Sequence, residues 1–157
     1  MALEIERKFL VKDSSFKAAS FAQKTIQQGY LNSHKNRTVR IRIIDDKAFM
    51  TIKGKSNASG TTRFEWEKEM DLQEAKELLQ LCEPSLIQKT RFYVKSDQHL
   101  FEIDEFFGEN SGLVVAEIEL ENESDSYEKP LWLGKEVTGD EKYYNSQLSK
   151  FPFKDWE

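Results

Sequence analysis

Seven stretches of this chain alternate apolar and polar residues at every second position, and the polar half of each stretch is charged rather than merely hydrophilic. Val39, Ile41 and Ile43 alternate with Arg40 and Arg42, and Phe64 and Trp66 alternate with Glu65 and Glu67. Lys89 and Arg91 flank Thr90, Glu102 and Asp104 interleave with Phe101 and Ile103, and Glu117 and Glu119 interleave with Ala116, Ile118 and Leu120. Thr51 and Lys53 share a parity opposite Met50 and Ile52, and the opening stretch sets Glu4, Glu6 and Lys8 on one parity. Side chains on a strand point alternately to its two faces. Each stretch therefore reads as a strand with one apolar and one ionic face.

The signs are blocked. Glu4/Glu6, Glu65/Glu67, Glu102/Asp104 and Glu117/Glu119 are acidic doublets, Arg40/Arg42 and Lys89/Arg91 are basic ones, and Lys53 adds a further cation. A solvated sheet face mixes its polar residues and pairs opposite charges across strands. Like charges two residues apart repel unless an ion or ligand neutralises them. Arginine forks and lysine point charges suit phosphate oxygens, and carboxylate pairs hold hard cations such as Mg²⁺ or Mn²⁺ that bridge those oxygens. The chain has neither a Gly-x-x-x-x-Gly-Lys-Ser/Thr loop nor a Gly-x-Gly-x-x-Gly turn, so side chains rather than a backbone nest must hold the phosphates. A closed or nearly closed antiparallel barrel gathers all these faces. Its interior would be ionic and its outside apolar, the inverse of the usual small barrel.

Composition narrows the field further. A length of 157 residues suits one domain over 1–157. The chain is 38% hydrophobic and 32% charged, enough for a core yet unusually ionic. A net charge of −5 argues against a nucleic-acid partner. Cys82 is the one cysteine, which excludes an internal disulfide and a zinc ribbon, and His34 and His99 lack metal-ligand spacing. With no apolar leader and no run near the roughly 18 apolar residues of a membrane span, the expected location is the cytoplasm, with no membrane partner. A homodimer is a reasonable expectation for a soluble protein.

Helical signals are fewer. Asp71–Glu83 carries Leu72, Ala75, Leu78, Leu79 and Cys82 at helical spacing, with Asp71 as N-cap and Pro84 beyond the end. Ser14–Lys24 and Tyr144–Phe151 are weaker helical candidates, and Asp45-Asp46 and the segment Lys95–Gln98 read as hairpin turns. Trp66, Trp132 and Trp156 are expected in core or cover, and Cys82 as a buried structural thiol.

Taken in order, these segments resemble a family. Glu4-Ile5-Glu6-Arg7-Lys8 is similar to the Glu-x-Glu-x-Lys signature of the CYTH superfamily, the triphosphate tunnel metalloenzymes. Gln28-Gly29-Tyr30-Leu31, Val39–Arg42, Thr51–Lys53, Phe64–Glu67, Lys89–Phe92, Phe101–Asp104 and Glu117–Glu119 follow in the family's order. Gly134–Asp140 and Tyr144-Asn145 resemble its C-terminal signature, so the match runs from Met1 to about Leu148. Short single-domain bacterial inorganic triphosphatases are the most similar members.

The resemblance implies an α+β fold: an eight-stranded antiparallel β-barrel, a tunnel with an ionic interior and a few covering helices. It implies phosphate binding by Arg40, Arg42, Lys53, Lys89 and Arg91, metal binding by Glu4, Glu6, Glu117 and Glu119, and an acidic lining of Glu65, Glu67, Glu102 and Asp104. Relatives often carry a basic residue in the C-terminal loop, where this chain has Glu141 and Lys142, so Lys142 is given a phosphate role. Similar short members use a Lys–Tyr pair, which points to Lys8 and Tyr30 as catalytic residues. A phenol has a pKa of about 10, and a nearby ammonium favours its ionised form; a metal with Glu6 or Glu119 as ligand is the other way to activate water.

The expected activity is Mg²⁺- or Mn²⁺-dependent hydrolysis of a small triphosphate, inorganic tripolyphosphate to diphosphate and phosphate. The alternatives are an adenylyl cyclase like the class IV enzymes, a thiamine triphosphatase, and a polyphosphate-binding module without turnover.

Overall fold

The computed structural model describes Leu3–Trp156; Met1, Ala2 and Glu157, which belong to the expected domain, lie outside the described residues. The strands are β1 (Leu3–Val11), β2 (Ala22–Asn32), β3 (Arg37–Ile44), β4 (Lys47–Gly54), β5 (Thr62–Met70), β6 (Ile87–Ser96), β7 (His99–Phe106), β8 (Val114–Glu119) and β9 (Leu133–Glu136). The helices are α1 (Phe16–Ala19), α2 (Leu72–Leu79) and α3 (Asn145–Leu148). Among the described residues no helix is long and apolar enough to cross a membrane.

Every strand pairing is antiparallel. The order β5-β4-β3-β2-β6-β7-β8-β1 closes on itself through β1–β5, giving an eight-stranded barrel, and β9 is added on β1. Closure depends on β1. Leu3, Glu4 and Ile5 pair with Phe64, Arg63 and Thr62 of β5, while Glu6 to Leu10 pair with Glu119 to Val115 of β8. One strand thus joins the β2–β5 meander to the β6–β8 meander.

The turns follow from the sequence. Asp45 (φ 53°) and Asp97 (φ 56°) open the two-residue links of β3–β4 and β6–β7, a left-handed conformation that aspartate tolerates better than most residues. Asp71 caps α2 by accepting from the Glu74 backbone N–H at 3.0 Å.

Most of the apolar packing lies outside the barrel. Phe16 of α1 meets Phe92 and Trp132 edge-on, beside Phe101, Ile103 and Ile118 from the outer faces. Ala75 and Leu79 of α2 cover Ile41 and Ala48. A third cluster sits on the inner face at one end. Ile87, Phe106 and Val115 continue the inward parity of Lys89, Asp104 and Glu117, and they pack with Leu113, Val137, Tyr143 and Leu148. The C-terminal segment therefore stoppers this end of the barrel with apolar side chains.

Several elements depart from expectation. Ser14–Lys24 is not a helix: α1 is a single turn, Ser20 is extended, and at Ala22 the chain enters β2, a strand that pairs with both β3 and β6. Helix α2 ends at Leu79 rather than Glu83, because the following residues tighten into i to i+3 turns and the Glu83 N–H bonds the Tyr30 carbonyl. The C-terminal helix spans only Asn145–Leu148. Trp132 is core as expected, but Trp66 is 42% exposed on the outer face of β5. Cys82 is half-buried, its thiol donating to the Leu78 carbonyl at 3.5 Å.

Candidate active site

Strand parity aims the charged doublets into a single cavity of about 200 Å³. Of the residues singled out from sequence, Glu4, Glu6, Lys8, Tyr30, Arg40, Arg42, Lys53, Glu65, Glu67, Lys89, Arg91, Glu102, Glu117 and Glu119 all line it. Asp104 is fully buried just behind the wall. Lys142 is elsewhere: it is exposed, and its ammonium lies 4.7 Å from the Trp156 ring centre. The short turn Glu141–Tyr143 packs Tyr143 into the apolar stopper, which leaves Lys142 facing outward.

The strand order sorts the charges into walls. On the consecutive strands β3, β2 and β6 stand Arg40, Arg42, Lys89 and Arg91, with the neutral Tyr30 and Gln28 between the two basic strands. On β7, β8 and β1 stand Glu102, Glu117, Glu119, Glu4 and Glu6. In a ring of eight, β2 is four strands from β1 in either direction. Tyr30 and Lys8 therefore face each other across the cavity, and among the described residues no hydrogen bond joins them.

The basic wall is held but not neutralised. Arg91 is locked by Asp104 (Nε to Oδ1, 2.8 Å; Nη2 to Oδ2, 3.0 Å) and contacts Glu102 at 3.3 Å. Burial opposes its charge, yet these carboxylates hold its pKa well above the usual arginine value. Lys89 shares Asp104 at 2.8 Å and donates to the Asn145 side-chain carbonyl at 3.0 Å. Burial dominates there and brings its pKa down to about 8, against the pull of Asp104. Arg40 and Arg42 have only Glu67, at 3.6 and 3.5 Å, and Arg40 also donates to the Thr51 hydroxyl at 3.0 Å. Burial, then the neighbouring Arg40 and Arg91, lower Arg42 to about 10. Arg40, Arg42 and Arg63 all line the cavity, and among the described residues Arg40 Nε, Arg42 Nε and Arg63 Nη1 are buried without a hydrogen-bond partner. A cluster of buried guanidinium groups this sparsely paired is costly unless an anion in the cavity offsets its charge.

The acidic wall has the opposite need. In the β1–β8 ladder Glu6 lies opposite Glu119 and Lys8 opposite Glu117. Burial, then the Glu117 and Glu4 charges, hold the Glu6 carboxyl well above the ordinary range. Glu117 is held far below it: burial acts against its charge, but Lys8, a hydrogen bond from Glu6, and Arg91 outweigh that. The two carboxyls thus share one proton. Glu119 is raised by burial and by Glu4 and Glu102. Glu4 is turned away to Lys53 at 2.9 Å, and among the described residues no three acidic, histidine or cysteine side chains are gathered into a metal cage. Even so, carboxylate oxygens crowded enough to retain a proton are hard donors short of positive charge, and a divalent cation in place of that proton fits their chemistry.

Several lining residues escaped the sequence reading. Arg63 shares the parity of Glu65 and Glu67, and extending that alternation by one step would have found it. Thr38 lies two residues before Arg40 in the same way. Asn145 and Ser146 come from the C-terminal segment and belong to no periodic pattern. Asn145 reaches in where its side-chain oxygen accepts from Lys89 and, at 3.1 Å, from Gln28.

The interior of the closed barrel thus sets a basic wall against an acidic one. Comparison with known proteins places the chain in a family. The CYTH domain profile matches residues 2–152, and the chain belongs to the CYTH family. It is 44% identical to an inorganic triphosphatase of Acetivibrio thermocellus, over 100% of this chain and 99% of that one. To an inorganic triphosphatase of Nitrosomonas europaea it is 35% identical, over 93% and 96% of the respective chains. The crystal structure of the inorganic triphosphatase NE1496 superposes with a TM-score of 0.63 at 32% identity, covering 95% of each chain. A putative adenylyl cyclase from Hippeastrum, HpAC1, shares the fold (TM-score 0.61, 76% of this chain and 80% of that one) at 14% identity.

Proposed function

We propose that this protein hydrolyses inorganic tripolyphosphate to diphosphate and orthophosphate in the barrel cavity, with Mg²⁺ or Mn²⁺ as cofactor. The observation that carries the reading is the convergence of Arg40, Arg42, Arg63, Lys53, Lys89 and Arg91 on one cavity that also holds an acidic wall. Relatives with the name inorganic triphosphatase, aligned over nearly the whole chain, support it.

Arg40, Arg42, Lys53, Lys89 and Arg91 bind the phosphate oxygens, and Arg63 joins them. Phosphoryl transfer needs charge neutralisation and positioning more than covalent help. Asp104 serves that end indirectly by fixing Lys89 and Arg91. Glu6, Glu117 and Glu119, with Glu4 if Lys53 releases it to the substrate, would hold the metal. Bound there, it supplies positive charge to the reacting phosphoryl group. Water attacks the terminal phosphorus, the bridging P–O bond breaks, and diphosphate departs with the electron pair; one proton of the water stays on the orthophosphate and the other passes to a product phosphate oxygen. Tyr30, which lines the cavity, orients the water. Lys8 on the opposite strand faces the same space and supplies positive charge.

Incubating the purified protein with Mg²⁺ or Mn²⁺ and, in turn, tripolyphosphate, ATP and thiamine triphosphate tests the reading. Orthophosphate and diphosphate from tripolyphosphate, at a kcat/KM above that for the other two, is the expected result. Cyclic AMP as the main product from ATP would overturn it.

A further inference from the structure

Two of the cavity's cations lie farther from any carboxylate than the rest. Lys53, Lys89 and Arg91 each have one within 3 Å, and Arg40 and Arg42 have Glu67 at 3.6 and 3.5 Å. Among the described residues Lys8 and Arg63 have none closer than 4.0 Å; the Lys8 charge still bears on Glu117, but Glu117 is hydrogen-bonded to Glu6 and Glu4 lies 2.9 Å from Lys53. What Lys8 and Arg63 share is Tyr144. The Lys8 ammonium lies 5.0 Å from its ring centre and the Arg63 guanidinium 5.2 Å, both within the roughly 6 Å reach of a cation–π contact.

Tyr144 is itself firmly placed. It is buried, its N–H bonds the Glu141 carbonyl, and its own carbonyl accepts from the Gln147 and Leu148 N–H groups. Its hydroxyl lies 3.3 Å from the Ser56 hydroxyl. The loop that carries it abuts the β4–β5 loop so closely that a Cβ on Gly60 would stand 2.3 Å from the Gly139 Cα. The ring lines a small space beside the main cavity, bounded also by Glu4, Glu6, Lys8 and Arg63.

We propose that Tyr144 is a positioning residue that holds Lys8 and Arg63 by its π-face, so that both keep their full charge for the substrate. This rests on the tripolyphosphate reading above. A carboxylate in that place would orient the same two cations but cancel the charge a polyanion needs. An aromatic face orients them and cancels nothing.

The test compares KM and kcat for tripolyphosphate, with Mg²⁺, in the full-length wild type and three variants: Tyr144→Leu, Tyr144→Phe, and Tyr144 replaced by pentafluorophenylalanine. The fluorinated ring has nearly the shape of phenylalanine but lacks its negative face, so it separates electrostatics from packing where the leucine variant fails to fold. Tyr144→Leu and the fluorinated ring should each raise KM about tenfold, the scale of two buried cation–π contacts, with a smaller effect on kcat. Tyr144→Phe should recover most of the affinity. Equal KM values for the phenylalanine and fluorinated variants, beside an active wild type, would overturn the inference alone. So would a Tyr144→Phe variant as impaired as Tyr144→Leu, since the hydroxyl would then be the working group. A wild type that neither binds nor cleaves tripolyphosphate would overturn the functional reading and this inference with it.

Discussion

Arg42 and Lys89 show how much chemistry a single buried charge carries in this barrel. Arg42 has a buried Nε with no partner and a carboxylate no closer than 3.5 Å. A charged hydrogen bond to phosphate is worth roughly 1.5–3 kcal/mol, so Arg42→Ala should raise KM for tripolyphosphate about 10- to 100-fold; an unchanged KM would remove Arg42 from the binding set. Lys89 makes a pH prediction. Burial lowers its pKa to about 8, below the ordinary lysine value of 10.5, so the free protein loses this cation as pH rises through 8. A neutral amine attracts phosphate less, and kcat/KM, which reports free-enzyme groups, should fall on that alkaline limb. Lys89→Arg should move the limb upward, because guanidinium stays charged; an identical profile in both proteins would assign the limb to another group. On the acidic wall, Glu6→Gln and Glu119→Gln should each abolish metal-dependent turnover, which metal titrations of activity would check. Residues of this kind were legible in sequence because alternation and sign are local properties. Asn145 was not, since its place beside Lys89 is made by packing of the C-terminal segment.

At the scale of elements, β1 and β2 mark the two limits of reading strands from sequence. The alternation of β1 was plain, but its role in closing the ring through β5 and β8 came only with the fold. Strand β2 showed no clean alternation: Gln23, Lys24, Thr25, Gln27 and Gln28 put polar residues on both faces, and Gln28 is nonetheless fully buried. β9, four residues that include Gly134 and Lys135, is too short to carry a period. Helix α2 was legible because its cap and apolar stripe are both local. Asp71→Ala should cost about 1 kcal/mol by leaving the Glu74 N–H unmet, seen as a lower Tm with KM unchanged, since α2 packs outside the barrel. Gly60 sits at φ +77° against the Gly139 backbone. Gly60→Ala should destabilise by more than about 1 kcal/mol, and a Tm equal to wild type would show that the two loops do not depend on this contact.

Across the whole molecule, the barrel is turned inside out along most of its length: ions face in, and three apolar clusters support it from the outer faces and from one end. The inversion was legible, because seven strands with charged faces leave few other arrangements. The stopper was not, because Ile87, Phe106 and Val115 look like ordinary core residues until the register places them in line with Lys89, Asp104 and Glu117. The stopper carries stability and also touches the site, since the Lys89 ammonium lies 5.5 Å from the Phe106 ring centre. Phe106→Ala, in the stopper, should cost about 3–5 kcal/mol, measurable by denaturant titration. On the proposed reading, the acidic and basic walls are set against each other for a ligand that carries both signs, a metal-bound triphosphate. The most direct test is the product ratio from tripolyphosphate with Mg²⁺ or Mn²⁺ supplied. Diphosphate and orthophosphate should appear in equal amounts and vanish when the metal is chelated; turnover that survives complete chelation, or no turnover at all, would contradict the account.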